Sequence, residues 1–250
     1  MSPPVPSSPT LLLTGGARGI GAATARLFGA RGARVMITDV LDDEGRALAA
    51  SLGERVRYAH LDVTDERAWR AVVAETEQTL GSITALFNNA GVLGLGSVLA
   101  CSPADFDRVL AVNLRGVFLG LHVGGAALKR AGGGVIVNNS STAGLQGYGG
   151  LAAYVASKWA VRGLSKAAAL DLAPFGIRVL SLHPGPIHTP MTAGFSESIA
   201  SAQPIARFGE ADEVARMVHF LVTEATYSTG SEFIVDGGAV TGQVLPLPEA

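Results

Sequence analysis

The stretch TLLLTGGARGIGAATARLFGAR, residues 10–31, decides the fold. TLLLT (10–14) is an apolar run of strand length, and Ile20 to Arg31 reads as an amphipathic helix. Between them TGGARGIG (14–21) places glycines at 15, 19 and 21. Such a turn lets the backbone come close to a ligand, while the free N–H groups and positive end of the following helix face an anion. Strand, glycine turn and helix in that order open a βαβ unit.

Working outward, the alternation continues. RVMIT (34–38), VRYAHL (56–61), ALFNN (85–89), GVIVNN (134–139), IRVLSLH (177–183) and EFIVD (232–236) read as strands. Helices are expected over Asp42–Leu52, Asp65–Leu80 with Thr64 as N-cap, Pro103–Arg130 with Ser102 as N-cap, the segment around Tyr154, and Asp212–Thr223. Strands separated by helices give right-handed crossovers and a mostly parallel sheet covered on both faces. The prediction is one α/β domain over residues 10–250, a doubly wound, Rossmann-type, seven-stranded sheet, preceded by a flexible arm at 1–9.

Composition narrows the function classes. A chain of 250 residues buries enough surface to fold without staples, and its single cysteine, Cys101, excludes an intrachain disulfide framework. A net charge of −2 with no Lys/Arg block argues against a nucleic-acid partner. MSPPVPSSPT carries no basic and apolar leader pattern, and the apolar runs are strand-length rather than the roughly 20 residues of a membrane span. A soluble cytoplasmic protein without membrane partner is expected.

In such sheets ligands lie beyond the carboxyl ends of the strands. Gly15, Gly19 and Gly21 would cradle a pyrophosphate. Asp39, 18 residues after Gly21, stands where a carboxylate accepts hydrogen bonds from an adenosine ribose and repels a 2′-phosphate. Arg18 argues the other way, since a guanidinium can pair with that phosphate. Asp39 addresses the ribose more specifically, so NAD is preferred and NADP stays possible. Asp62 would either meet the adenine amino group or cap a turn. NNAG (88–91) reads as a hydrogen-bonded post or a ligand contact, and Asn113 is a polar residue inside a helix that needs partners if buried. Tyr154 and Lys158, four apart, share one helix face.

Together TGGARGIG, NNAG, Asn113, Ser141 thirteen positions before Tyr154, Tyr154-x-x-x-Lys158 and the PG-x-x-x-T of Pro184 to Thr189 resemble the short-chain dehydrogenases/reductases, from about residue 10 to 242. Stretches such as DVLDDEG, HLDVT and ASKWAVRGLSK look like that family's bacterial 3α,20β-hydroxysteroid dehydrogenase branch, although the segment after Thr189 looks shorter. The resemblance implies Tyr154 as general acid/base, Ser141 as donor to the substrate oxygen, and Lys158 as holder of the nicotinamide ribose that lowers the tyrosine pKa. It implies Asn113 as the residue positioning a water, and Thr189 with the Ile187 backbone as contacts of the carboxamide. Ile20, Val63, Asn89, Ala90, Gly91, Pro184 and Gly185 complete the implied cofactor site.

Leu93, Leu95, Leu145, Gln146, Tyr148 and Met191, with a flap over about 190–208, would line an apolar substrate pocket. A hydrophobic secondary alcohol or ketone, steroid-like or bulky, is the expected substrate. An NADPH-dependent 3-oxoacyl reductase, kept open by Arg18 and Arg207, is the rival enzyme; a dinucleotide-sensing or scaffold protein is the non-enzyme alternative. His183 and His188 lack a third ligand nearby, so no metal is expected. The resemblance also implies that the apolar helices at 116–128 and 167–173 pack against their copies in a dimer or tetramer; a homotetramer is expected, with Trp159 a candidate for packing or subunit contact.

Overall fold

The structure, a computed structural model, describes residues 8–242. β1 (Thr10–Thr14), β2 (Arg34–Asp39), β3 (Val56–His60), β4 (Ala85–Asn88), β5 (Gly134–Asn139), β6 (Ile177–Pro184) and β9 (Glu232–Val235) form one sheet in the order β3-β2-β1-β4-β5-β6-β9. Every pairing in it is parallel. The order reverses at β1, which has β2 on one side and β4 on the other; that reversal opens the crevice where α/β sheets bind ligands.

Both faces are buried, and side-chain alternation divides the core in two. Leu11, Leu13, Val35, Ile37, Phe87, Val135 and Val137 face one layer. It is built on α1 (Gly19–Ala30), α2 (Asp42–Ser51) and α6 (Ala211–Thr223), through Phe28, Leu48, Val214 and Val218. Leu12, Met36, Leu86 and Ile136 face the other. That layer holds α3 (Glu66–Leu80), α4 (Pro103–Arg130) and α5 (Ala152–Leu172), through Trp69, Val73, Val117, Leu128 and Val161.

Several expectations are corrected. α1 runs from Gly19 to Ala30, one residue earlier at each end than expected. Thr64 does not cap α3: its hydroxyl turns back to Asp62 Oδ1 at 2.8 Å, and Asp65 caps instead by accepting from Arg67 N. Ser102 does cap α4, accepting from Asp105 N at 3.1 Å. α4 itself is long and apolar enough to cross a membrane by composition, contrary to the sequence reading; here its apolar side chains pack on the sheet. Two stretches of it, 111–115 and 120–124, are wound as π-helix.

Of the arm expected at 1–9, only Ser8 and Pro9 lie among the described residues. Ser8 donates to Gly32 O and Pro9 O accepts from Arg34 N, so both are tied to the start of β2. A small parallel pair that the sequence did not announce joins β7 (Ile187–His188) to β8 (Gly209–Glu210). It staples together the two ends of the segment expected to act as a flap.

Candidate active site

The glycine turn is built for close approach. Gly15 has φ +61°, and a Cβ on Gly21 would lie 2.1 Å from Gly15 O. The N-terminus of α1 has neither a side-chain cap nor an acid in its first turn. Capping side chains serve α3, α4 and α6. Helices α2 and α5 lack them as well, though α2 has three acids in its first turn, so it is the place of α1 at the sheet's switch point that singles it out. Open N–H groups at the sheet's switch point fit a dinucleotide pyrophosphate in both shape and charge. Asn89 supports the turn from below: its Nδ2 donates to Thr14 O at 3.0 Å and Gly15 O at 2.9 Å, and its Oδ1 accepts from Asn139 Nδ2. Its side chain is a scaffold post. Ala90 N and Asn89 N both donate to Thr14 Oγ1.

At the end of β2 the Asp39 carboxylate is fixed by three main-chain donors, Ala17 N (3.0 Å), Val40 N (2.8 Å) and Leu41 N (3.1 Å). The Tyr58 hydroxyl, 2.7 Å from both Asp39 O and Asp42 Oδ1, props this corner. Arg18 is not free: its guanidinium forms a two-pronged ion pair with Glu44 of α2. Glu44 lies outside the turn motif and was missed in the sequence reading. Asp62 Oδ1 takes Thr64 N and Oγ1, so this oxygen caps the turn. Val63 is buried against Gly116, and its carbonyl accepts from Trp69 Nε1. Ile20 packs its side chain on the core.

The chemistry-bearing residues converge next to this crevice. Lys158 is buried, and its Nζ donates to Asn139 O at 2.8 Å and lies 5.5 Å from the Tyr154 ring centroid. A Cβ on Gly91 would come within 3.7 Å of that ammonium and 3.3 Å of Asn113 Oδ1. Asn113, in the first π-wound stretch, clamps three elements. Its Oδ1 accepts from Val92 N (2.8 Å), and its Nδ2 donates to Val92 O (2.9 Å) and Ser157 Oγ (3.1 Å). With the carboxamide donors thus used, any water-positioning falls to its main chain. Ser157, also missed in the sequence, passes the contact on to Tyr154 O at 2.7 Å.

Ser141 leaves β5 in an extended conformation and caps a short turn, its Oγ accepting from Ala143 N at 3.1 Å. That bond uses a lone pair and leaves the hydroxyl proton for another acceptor. Electrostatics depart from the expected lowering of the tyrosine. Burial pushes the Tyr154 phenol above its ordinary value, with the Ser141 side chain pulling it partly back. Burial also brings Lys158 down to about 8. The ammonium has only a neutral carbonyl as acceptor, so desolvation dominates both groups.

The PG loop closes over the phosphate turn. A Cβ on Gly19 would lie 3.1 Å from Thr189 Cγ2. Thr192 Oγ1 organises the loop: it donates to Ile187 O at 2.6 Å and accepts from Thr189 N at 3.1 Å. Gly185 N, next to Pro184, donates to Val235 O. Loops after β4 and β5 are joined by Gly96 N donating to Gly150 O at 2.7 Å. They carry Leu93, Leu95, Leu145, Gln146 and Tyr148; the Tyr148 hydroxyl accepts from Gln146 Nε2 and donates to Thr142 Oγ1. Leu95 is 69% exposed and Met191 43%.

The two histidines part company. His183 is buried on β6, while His188 sits beside Glu197 and Glu210 with its ring 5.1 Å from Phe208. Arg207 is paired with Glu213 through both terminal nitrogens at 2.9 Å. Trp159 is exposed, and the Arg162 guanidinium lies 5.2 Å from its ring centroid.

A family model described as enoyl-(acyl carrier protein) reductase matches residues 15–240. The chain is 46% identical to a 3-alpha-(or 20-beta)-hydroxysteroid dehydrogenase of Mycobacterium tuberculosis, over 92% of this chain and 89% of that one. It is 41% identical to a trans-4-hydroxycyclohexanecarboxylate dehydrogenase of Sinomonas cyclohexanicum, over 94% and 93%. Among solved structures, levodione reductase superposes with a TM-score of 0.88 at 34% identity, covering 92% of this chain and 96% of that one.

Proposed function

The chain belongs to the short-chain dehydrogenase/reductase family, and from that premise we propose that it is an NAD-dependent oxidoreductase of bulky, hydrophobic, cyclic secondary alcohols and their ketones. The observation that carries this reading is the packing of Lys158, Tyr154, Asn113 and Ser141 around one crevice beside an uncapped helix N-terminus. A bound nicotinamide would accept or return the hydride. Phosphate-turn N–H groups would hold its pyrophosphate, Asp39 its adenosine ribose, and Lys158 its nicotinamide ribose. The Ser141 hydroxyl donates to the substrate oxygen. Tyr154 takes the alcohol proton on oxidation and gives it back on reduction, so charge and protons balance against the hydride. The exposed Leu95 and Met191 support an apolar substrate, as do the hydroxysteroid and hydroxycyclohexane substrates in the relatives' names.

Cofactor choice follows from charge. A 2′-phosphate beside the Asp39 carboxylate meets repulsion of about 4 kcal/mol at about 4 Å and an effective dielectric near 20. Salt lowers this; a third of it is still about tenfold in affinity. Arg18, which could offset it, already pairs with Glu44. In 340 nm assays over a panel of cyclic alcohols and ketones, NAD is expected to exceed NADP in kcat/KM by at least about tenfold. Asp39→Ala should narrow that gap by a similar factor. Faster turnover with NADP would instead make Arg18 decisive and favour the 3-oxoacyl reductase reading, against which stands the pairing of Arg207 with Glu213.

A homotetramer is the second part of the proposal. Phe118 on α4 and Trp159 and Leu170 on α5 stay exposed, Leu170 by 79%. Exposed apolar side chains on these two helices are what a subunit contact would cover. Light scattering at micromolar concentration is expected to give a tetramer's mass, and a clean monomer would refute it.

A further inference from the structure

We propose that His183 is a positioning residue for catalysis, a buried imidazole that locks the backbone of Ser141 and so aims its hydroxyl at the substrate oxygen. This rests on the reading of Ser141 given above. His183 is fully buried near the end of β6, where Val179, Leu180 and Leu182 fill the neighbouring strand positions. An imidazole among such residues costs free energy unless both nitrogens are bonded. Here both are: Nδ1 lies 3.1 Å from Ser141 O, and Nε2 lies 3.0 Å from Ser181 Oγ. A carbonyl only accepts, so Nδ1 carries the proton, and bare Nε2 accepts from the Ser181 hydroxyl. Ser181 stands two residues earlier on the same strand face and is itself buried, which fixes the tautomer. Burial lowers the imidazole pKa and favours this neutral form.

The point of attachment is what matters. Ser141 O also accepts from Gly144 N at 2.9 Å, so its peptide plane is held by the short turn on one side and by β6 on the other. The Ser141 hydroxyl is oriented within that turn by Ala143 N. Without the His183 bond, the turn carrying the hydroxyl loses this link to the sheet. A small misplacement of a donor at the reacting atom is enough to lower the rate.

The test separates the two ends of the imidazole. In His183→Asn the amide nitrogen can stand in for Nδ1 and reach Ser141 O; in His183→Gln it reaches only toward Ser181. The asparagine variant is expected to keep kcat within about threefold, and the glutamine variant to lose about tenfold, with KM and the NAD dissociation constant little changed. Equal losses in both, losses that track Tm, or losses confined to KM would overturn the proposal in favour of a packing role. Should the glutamine variant fail to fold, Ser181→Ala tests the far end of the ring, because the Ser141 carbonyl still holds the proton on Nδ1. Its kcat should stay within about threefold of wild type, and a roughly tenfold loss there would overturn the proposal in favour of a packing role. Ser141→Ala is the control: if it retains full kcat, the Ser141 reading itself has failed, whatever His183 does.

Discussion

Tyr154→Phe is expected to lower kcat by about a thousandfold in both directions while leaving NAD affinity within about twofold, because a positioned acid/base contributes about 10²–10⁴. The substitution keeps the ring in its place on α5 and deletes only the group that moves the proton. With burial holding the phenol above its ordinary pKa, the protonated form dominates at neutral pH, which suits ketone reduction. Alcohol oxidation needs the phenolate, so its kcat/KM should rise with pH, while reduction falls as the phenol is titrated. The part of each dependence that belongs to the phenol should vanish in Tyr154→Phe, leaving only the loss of the Lys158 charge above about 8. Steady-state rates across pH, with dinucleotide binding followed by fluorescence, check this; residual activity above a tenth of wild type would remove Tyr154 from the proton path.

Lys158→Met should show activity and stability moving apart. The ammonium is buried on a neutral acceptor, and its pKa falls from 10.5 to about 8. At about 1.4 kcal/mol per unit this is about 3 kcal/mol of destabilisation in the charged form. The sign follows from proton counting. Between about pH 8 and 10.5 the unfolded chain binds the proton more tightly, so the penalty is complete below about 8 and disappears as pH rises past 10.5. Methionine removes the penalty and leaves Asn139 O without its donor, at a cost of about 1–3 kcal/mol. The variant is therefore expected to be neutral to more stable at pH 7, by up to about 2 kcal/mol, with any gain fading above pH 10. Activity should fall by about a hundredfold or more, since the ammonium that would hold the nicotinamide ribose is gone. Calorimetry at pH 7 and pH 10.5 with parallel kinetics measures both. A loss of more than about 2 kcal/mol at pH 7 would make Lys158 chiefly a cross-brace between α5 and β5.

Much of this was legible in the residues. Apolar runs of five to eight residues can only be sheet cores when helices separate them, and Leu11, Leu12 and Leu13 divide between the two faces as period-two geometry requires. The Tyr154 and Lys158 pair was readable because one helix turn fixes their relation. Local cap chemistry was less certain: Ser102 behaves as expected, whereas Thr64 yields to Asp65 because its hydroxyl has a better acceptor in Asp62. The β7–β8 pair could not be read, since two residues of β7 find partners more than twenty positions later.

By itself the sequence determined the strand–helix alternation, the parallel doubly wound sheet, the phosphate turn and the residues that meet at the strand ends. These depend on hydrophobic period, backbone permissiveness and short spacing, which one chain segment carries alone. Only the tertiary structure decided that Glu44 occupies Arg18, that His183 braces Ser141 instead of joining His188, and that burial raises the Tyr154 phenol while lowering Lys158. Each of these depends on which distant groups share a low-dielectric neighbourhood and which lone pairs remain unused, and such quantities exist only after the elements have packed.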